Sequence, residues 1–414
     1  MATTSSTGAI AAARDAAVAA IEAAADDLTA LSKFIHQHPE VALEEVQASA
    51  ACAEFLEARG FAVERGLAGL PTAFAAGAGD GAPRVAYLAE YDALPGLGHG
   101  CGHNLIAMSG VAAGLGLGAA LRAGGLPGSV RVFGTPAEEA VGGKVIMAAA
   151  GVFNGIDAAM GAHPGSNDTY CPTVAGSGLS LACEEVRIAY HGRAAHAAAD
   201  PYNGINALNA IIEVFNGINA LRQHVKSDAR LHGIITHGGQ AANVVPDFAR
   251  AEFFVRAAKL EDMNELVERV RHIAEGAALM TGARLEFEVS GLANSDMVTN
   301  LTLARQLKRN LDAVGLAMPE ATPEPPSGST DWGNVSYEVP SIETGFPILD
   351  RICTWHSPEV VVAADSELGY RNTLLVAKAM ALTGVDILAD PALLTKIQAE
   401  FARVPPMSAI AAWH

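Results

Sequence analysis

Short apolar runs alternate with helical patterns along this chain, and each run is followed closely by residues able to bind a metal. Arg84 to Glu90 (RVAYLAE), Ser129 to Phe133 (SVRVF), Asp157 to Ala162 and a segment near Ser341 to Gly345 read as buried strands. Helical patterns fall over 8–36, 44–59, 104–122, 140–152, 298–314 and 364–382, with a short one in PALLTKIQAEF. This alternation predicts an open α/β sheet with mostly parallel strands. In such sheets functional groups collect beyond the carboxyl ends of the strands. GHGCGHN (98–104) follows the first strand, Glu138-Glu139 in TPAEEA the second, His163 in GAHPG the third and His356 in CTWHSPE the fourth. Four segments therefore bring His, Cys or Glu to one edge.

GHGCGHN places His99, Cys101 and His103 on alternate positions, with glycines that let the backbone pass close to an ion. A Gly-rich turn before a helix would also accommodate those histidines. A lone His163 would suit surface or core, and a Glu pair at a helix start would suit the helix dipole. Their convergence favours a metal site formed by Cys101, His103, Glu139, His163 and His356. Five donors exceed one tetrahedral zinc and suit two ions about 3.5–4 Å apart. The start of the helix and a metal would both favour the Cys101 thiolate. Adjacent Glu138 and Glu139 point differently, so Glu139 is assigned as ligand and Glu138 as base to a metal-acidified water. Asp92, in EYDALP, either orients an imidazole or serves as a turn residue before Pro95.

The pattern changes in mid-chain. Strand patterns at 179–190, 230–236, 248–257 and 284–289 enclose helices at 203–225 and 260–280, giving the ferredoxin-like order βαββαβ. The expected division is a catalytic part over 1–178, an inserted domain over 179–293, a second catalytic part over 294–390 and a C-terminal extension over 391–414, its last residues loosely held. The net charge of −18, without a basic cluster, argues against nucleic acid and anionic membrane surfaces. No stretch reads as a membrane span, and the Ala-rich N-terminus reads as a helix rather than a signal peptide. Five scattered cysteines suggest a reducing, cytoplasmic setting, with Cys52 and Cys183 as small buried hydrophobes.

HPEVALEE (38–45), EYDALPGLGHGCGHN (90–104), TPAEE (135–139), GAHPG (161–165), GRAAHAA (192–198), NVVPD (243–247), FFVRA (253–257), GSTDWGNVS (328–336) and TWHSPE (354–359) together resemble the aminoacylase/carboxypeptidase family of co-catalytic metallopeptidases. The similarity spans roughly 25–385. Cys-x-His marks the amidohydrolase branch, within which the chain is most similar to the aminobenzoyl-glutamate hydrolase and β-alanyl-lysine dipeptidase-like group. The resemblance implies two divalent ions on the ligands above, zinc first with manganese or cobalt as alternatives, and Glu138 as general base. It implies that the inserted domain is a lid that dimerises. It also implies that His196 stabilises the tetrahedral intermediate and that Arg256 and Asn243 help hold a substrate carboxylate, with Gly328 and Ser329 of GSTDWGNVS in the substrate set. His196 on an Ala-rich loop and Arg256 as a strand-end charge have ordinary readings too. His232 would serve a dimer interface or cap a strand, and Trp332 and Tyr202 would line the pocket or pack in the core. Glu90, where many relatives carry Asp and distant ones a His ligand, and the GSTDWGNVS loop depart from the wider branch.

The expected activity is metal-dependent hydrolysis of the amide in an N-acyl amino acid, aminoacyl conjugate or dipeptide with a free carboxylate. A β-alanyl or basic dipeptide substrate is the alternative within that class. Outside it stand a catalytically silent metal-containing binding protein and a redox thiol protein built on Cys101.

Overall fold

The computed structural model describes residues 3–407; residues 1, 2 and 408–414, which include most of the expected loose tail, lie outside the described residues. The chain runs α1 (Thr3–Ala23), α2 (Ala25–Gln37), α3 (Val46–Glu57), β1 (Ala62–Arg65), β2 (Phe74–Asp80), β3 (Arg84–Ala89), α4 (His103–Ala123), β4 (Gly128–Gly134), α5 (Gly143–Ala149) and β5 (Ala158–Gly165). Next come β6 (Ala182–His191), α6 (Ala207–Leu221), β7 (Arg230–His237), β8 (Phe248–Ala257), α7 (Leu260–Thr281) and β9 (Arg284–Val289). The chain then continues with α8 (Leu301–Ala313), α9 (Trp332–Glu338), β10 (Ser341–Pro347), α10 (Pro358–Ala363), α11 (Glu367–Ala389) and α12 (Pro391–Phe401). It forms two compact units, one of residues up to Gly178 with Val298–Glu324 and Asn334–Pro406, the other of Leu179–Met297, Pro325–Gly333 and Met407. The short return of 325–333 to the second unit departs from the expectation that 294–390 stay together.

The first unit is built on a six-stranded sheet in the order β1-β2-β4-β3-β5-β10. Strands β4, β3, β5 and β10 are parallel, so their carboxyl ends share one edge. Antiparallel β1 and β2 extend the other side. They were not expected, because AVER and FAAGAGD lack the alternation or bulk that marks a strand. Two other departures are breaks in helices. The expected helix over 8–36 divides at Ala24, within an Ala-rich stretch that carries no stop signal. The helix expected over 364–382 starts at Glu367, where the Ser366 hydroxyl caps the Gly369 N–H, and runs on to Ala389. The helix expected over 140–152 shortens to α5, and α9 arises in a segment expected to be loop.

Helix α4 is the hub of this unit and is buried along nearly its whole length. Its glycines let backbone meet backbone. A Cβ on Gly110 would sit 2.4 Å from the Leu88 carbonyl oxygen of β3, and one on Gly116 would meet Ile21 of α1 and Ala381 of α11 within 2.9 Å. Both α4 and α11 are long and apolar enough to cross a bilayer, contrary to the sequence reading, yet both are mostly buried inside the protein.

The second unit is an antiparallel sheet in the order β7-β8-β6-β9, which with α6 and α7 makes the expected βαββαβ fold. Along β8, Ala249, Ala251, Phe253, Val255 and Ala257 are buried in a core shared with α6 and α7. Arg250, Glu252, Phe254 and Arg256 alternate with them and face the other way.

The glycine geometry sets a stability contrast. Gly110→Ala should destabilise by about 1–3 kcal/mol or more, because the clash is with main chain. Gly276→Ala on α7, with no atom within 4 Å of its Cβ, should be neutral or stabilising by about 0.4–1 kcal/mol. Urea unfolding of both variants checks the pair; equal effects would contradict the packing of α4 on β3.

Candidate active site

The loops beyond the parallel strands bring seven predicted residues together. Gly102 adopts φ 79° ahead of α4, and a Cβ there would lie 2.6 Å from the Pro164 side chain. This turn puts Cys101 and His103 close to β5. With left-handed Gly98 ahead of His99, it replaces by a turn the extended path that would have aligned His99 with them. His99 instead bonds through Nε2 to the Ile35 carbonyl, 3.1 Å away, and stacks near His36. Burial and the neighbouring His103 push its pKa down to about 3, so it stays neutral.

Asp92 is the organising group. One carboxylate oxygen lies 2.9 Å from His103 Nδ1, and the other accepts the Glu139 N–H at 2.9 Å. An Nδ1–H donated to Asp92 leaves the His103 Nε2 lone pair facing the site. His163 is set similarly: Nδ1 donates to the Pro164 carbonyl at 2.8 Å, so Nε2 faces the site as an acceptor, hydrogen-bonded to Cys101 Sγ at 3.4 Å. His356 sits in the left-handed region at φ 57°, with its N–H donated to the Gly100 carbonyl and Nε2 3.4 Å from Glu139 Oε1.

These atoms form two donor triads, Cys101–His103–His163 and Cys101–Glu139–His356, with Cys101 common to both. Glu138 joins His103 and Glu139 in a third group of the same compactness. His103 Nε2 and Glu139 Oε1 are buried, 3.8 Å apart, and have no hydrogen-bond partner. Each such atom costs on the order of 1–3 kcal/mol when nothing satisfies it. A thiol, imidazole lone pairs and a carboxylate aimed at common points fit divalent cations, zinc in particular.

Burial pushes the Cys101 thiol up to about 12, His103 only partly opposing it, so the expected help from the start of α4 does not by itself make a thiolate. Burial opposes charge on His103, but the charge and hydrogen bond of Asp92 act against it, and the His103 pKa is raised. Burial lowers the pKa of His163. Sequence reading did not single out Lys144, fully buried on α5, whose Nζ lies 2.9 Å from Glu90 Oε1. Glu90 Oε2 lies 3.7 Å from His103 Nε2. Burial would raise the Glu90 pKa, but Lys144 and the two histidines pull it down. A lysine in a short apolar helix beside TPAEE was the available signal.

The remaining predicted residues belong to the second unit. Arg256 Nη1 donates to Ser329 Oγ at 3.0 Å, and the Gly328 carbonyl accepts the Leu181 N–H at 2.8 Å. His232 is exposed and lies beside Phe254, over which the Arg256 guanidinium also sits. His196 accepts the Ala198 and Ala199 N–H groups at Nδ1, which leaves Nε2 as the N–H donor. Asn243 is joined to this loop by its backbone carbonyl, which accepts the Ala197 N–H. Trp332 is 1 % exposed and belongs to a core, whereas Tyr202 is 94 % exposed.

Residues 184–280 match the peptidase dimerisation domain of the M20 family. The chain is 39 % identical to the Xaa-Arg dipeptidase of Mus musculus, over 92 % of this chain and 90 % of that protein. It is 31 % identical to a component of the p-aminobenzoyl-glutamate hydrolase of Escherichia coli K12, over 93 % and 94 % of the two chains. Among solved structures it resembles an aminobenzoyl-glutamate utilization protein from Klebsiella pneumoniae (TM-score 0.65, 20 % identity, 88 % and 97 % coverage). It also resembles a dinuclear metal binding peptidase of the M20 family from Bacillus subtilis (TM-score 0.62, 24 % identity, 86 % and 98 % coverage). With identity of this extent along nearly its full length, the chain belongs to the M20 family of peptidases and amidohydrolases.

Proposed function

We propose that this enzyme hydrolyses the amide of N-acyl amino acids, aminoacyl conjugates or dipeptides that end in a free carboxylate, using two divalent metal ions. The observation that carries the reading is the pair of donor triads sharing Cys101, with Glu138 beside them. Charge supports two ions. Cys101 as thiolate, Glu90, Asp92, Glu138 and Glu139 gather in this region with one buried lysine, Lys144, which pairs with Glu90. The excess is four negative charges, which two divalent ions cancel. When bound by Cys101, His103, Glu139, His163 and His356, the ions supply Lewis acidity to the scissile carbonyl and acidify a water. Zinc suits the Cys, His and carboxylate donors best, with manganese or cobalt as substitutes.

Glu138 takes the proton of the attacking water and returns it to the leaving nitrogen. Asp92 keeps His103 in one tautomer and fixes the Glu139 backbone, so neither moves as charge develops. From the family resemblance, His196 Nε2–H is assigned to the oxygen that gains charge. Arg256 with Ser329 and Gly328, and Asn243, are assigned to the terminal carboxylate. His232 is assigned to the same substrate set. The similarity to Xaa-Arg dipeptidase favours dipeptides with a basic C-terminal residue as a second, narrower reading. A homodimer through the second unit accords with the dimerisation-domain match and with the unpaired edge of β7, where Ile234 and Ile235 are exposed. The free thiols suit a cytoplasmic location.

A panel of N-acyl amino acids and dipeptides, acidic and basic at the C-terminus, tests the reading with metal-loaded protein; no turnover on any member would favour the silent binding protein. Glu138→Gln should keep its metals and lose activity by roughly 10²–10⁴-fold. Near-normal turnover would remove Glu138 from the mechanism, and loss of metal would exchange the roles of the two glutamates.

Metal binding must displace the Cys101 and His103 protons. Zn²⁺ titration of the apoprotein in weak buffer near neutral pH should therefore release on the order of one to two protons per chain. Protonated donors compete below their pKa values, so affinity should rise with pH. Cys101→Ala or His103→Ala should lower both metal content and proton release. Undiminished metal in both variants would refute the site, and a strong chelator should inactivate the wild type until Zn²⁺, Mn²⁺ or Co²⁺ is restored.

Arg256→Ala should raise KM for free-carboxylate substrates far more than for their C-terminal amides. Equal penalties on both forms, measured by steady-state kinetics, would show that Arg256 is not the carboxylate clamp.

A further inference from the structure

The HPEVALEE segment has no part in the chemistry above, yet its buried Glu45 reaches the active-site loop. Glu45 Oε1 accepts the Ala137 N–H at 2.8 Å, and Oε2 accepts the Thr72 hydroxyl at 2.9 Å. Ala137 immediately precedes Glu138 and Glu139. It has φ 62°, a left-handed conformation that a Cβ disfavours. Its carbonyl accepts the Gly142 N–H at 2.8 Å, so both of its backbone polar groups are pinned. The same segment braces the other arm of the site. The Glu40 carbonyl accepts the N–H of Ala93, next to Asp92, at 2.8 Å, and its carboxylate accepts the Gln47 and Ala48 N–H groups at the start of α3.

We propose that Glu45 is a positioning residue, whose carboxylate holds Ala137 in its left-handed turn and thereby sets the directions in which Glu138 and Glu139 project. A left-handed alanine persists only where its surroundings over-determine it. Here the determinant is a buried acceptor whose second oxygen is tied to Thr72. Without that acceptor, the Ala137 N–H is buried and unsatisfied, and the turn can relax toward negative φ. Such a relaxation re-aims the next two side chains. Burial raises the Glu45 pKa. A glutamine keeps one oxygen for the Ala137 N–H and can donate its amide N–H to the Thr72 hydroxyl, so it should serve nearly as well as the carboxylate.

The kinetic half of the test rests on the hydrolase reading; the metal half does not. Glu45→Met fills the space but offers no comparable acceptor, Glu45→Gln keeps one, and Glu45→Met with Ala137→Gly removes the Cβ that makes the turn costly. Each is purified and loaded with Zn²⁺, and kcat, KM and the weaker Zn²⁺ dissociation constant are measured, the last by competition with a chromophoric chelator. Glu45→Met should lower kcat and weaken that Zn²⁺ step by about 10–100-fold, the range found for residues that orient metal ligands, with little change in KM. Glu45→Gln should stay within about threefold of wild type, and the added glycine should recover most of the loss in kcat and Zn²⁺ affinity. A folded Glu45→Met with wild-type kcat and Zn²⁺ affinity, or a glycine that rescues neither, overturns the proposal. If Glu45→Met does not fold, Glu45→Gln decides: near-wild-type values support the hydrogen bond as the cause, and a loss above about tenfold overturns it. If the wild type turns over no substrate, the hydrolase reading fails by itself, and the Zn²⁺ measurements still decide the role of Glu45.

Discussion

The Asp92 carboxylate is the interaction on which the site depends. One oxygen fixes the tautomer and ring direction of His103, and the other holds the main chain at Glu139. A single buried anion thus couples the loop after β3 to the loop after β4. Burial alone would raise the Asp92 pKa; the His103 contact and the Glu139 N–H pull it below its ordinary value. The group remains an acceptor on both sides, which is what two donors facing it require. Removal of either partner would leave a buried charge poorly compensated, a costlier state than the loss of one hydrogen bond.

Charge explains the surroundings. A core this apolar tolerates clustered carboxylates and a thiolate only if cations neutralise them. Lys144 balances one, through Glu90. Divalent ions held by the donor cluster would balance the rest. His99 shows the converse: two residues from Cys101 in sequence, buried and neutral, it takes no share in the charge. The two kinds of histidine differ in what faces them, a carbonyl at His99 and a carboxylate at His103.

Much of this was legible in the sequence. Parallel strands with their polar loops at one edge followed from hydrophobic pattern and the order of motifs, and the donors Cys101, His103, Glu139, His163 and His356 do converge with Glu138 and Asp92. The βαββαβ order was also readable, because β8 and β9 alternate and the two helices, α6 and α7, are amphipathic. What escaped was structure that side-chain pattern does not encode. The edge strands β1 and β2 exist through main-chain pairing of small residues. His99 left the cluster because the chain over 98–102 is a turn with left-handed Gly98 and Gly102, not an extended segment that would align alternate side chains. The partners of Lys144 and Glu45 come from segments distant in sequence, and only the fold brings them to Glu90 and Ala137.

Backbone strain ties the fold to the chemistry. Among the described residues, four that are not glycine have positive φ: Leu43, Ala68, Ala137 and His356. One belongs to the donor cluster, one precedes Glu138, and a third lies two residues before Glu45. Each such conformation costs on the order of 1–3 kcal/mol and persists only under restraint. His356 is restrained through its N–H to Gly100, and Ala137 through Glu45 and Gly142. The restraints therefore originate in the segments that carry Cys101 and HPEVALEE. Half-exposed His356, its side chain 51 % accessible, is the donor with the least burial to hold it. Its position then depends on the hydrogen bond to the glycine that precedes Cys101, so the ligand common to both triads and the most exposed donor are anchored by adjacent residues of one turn.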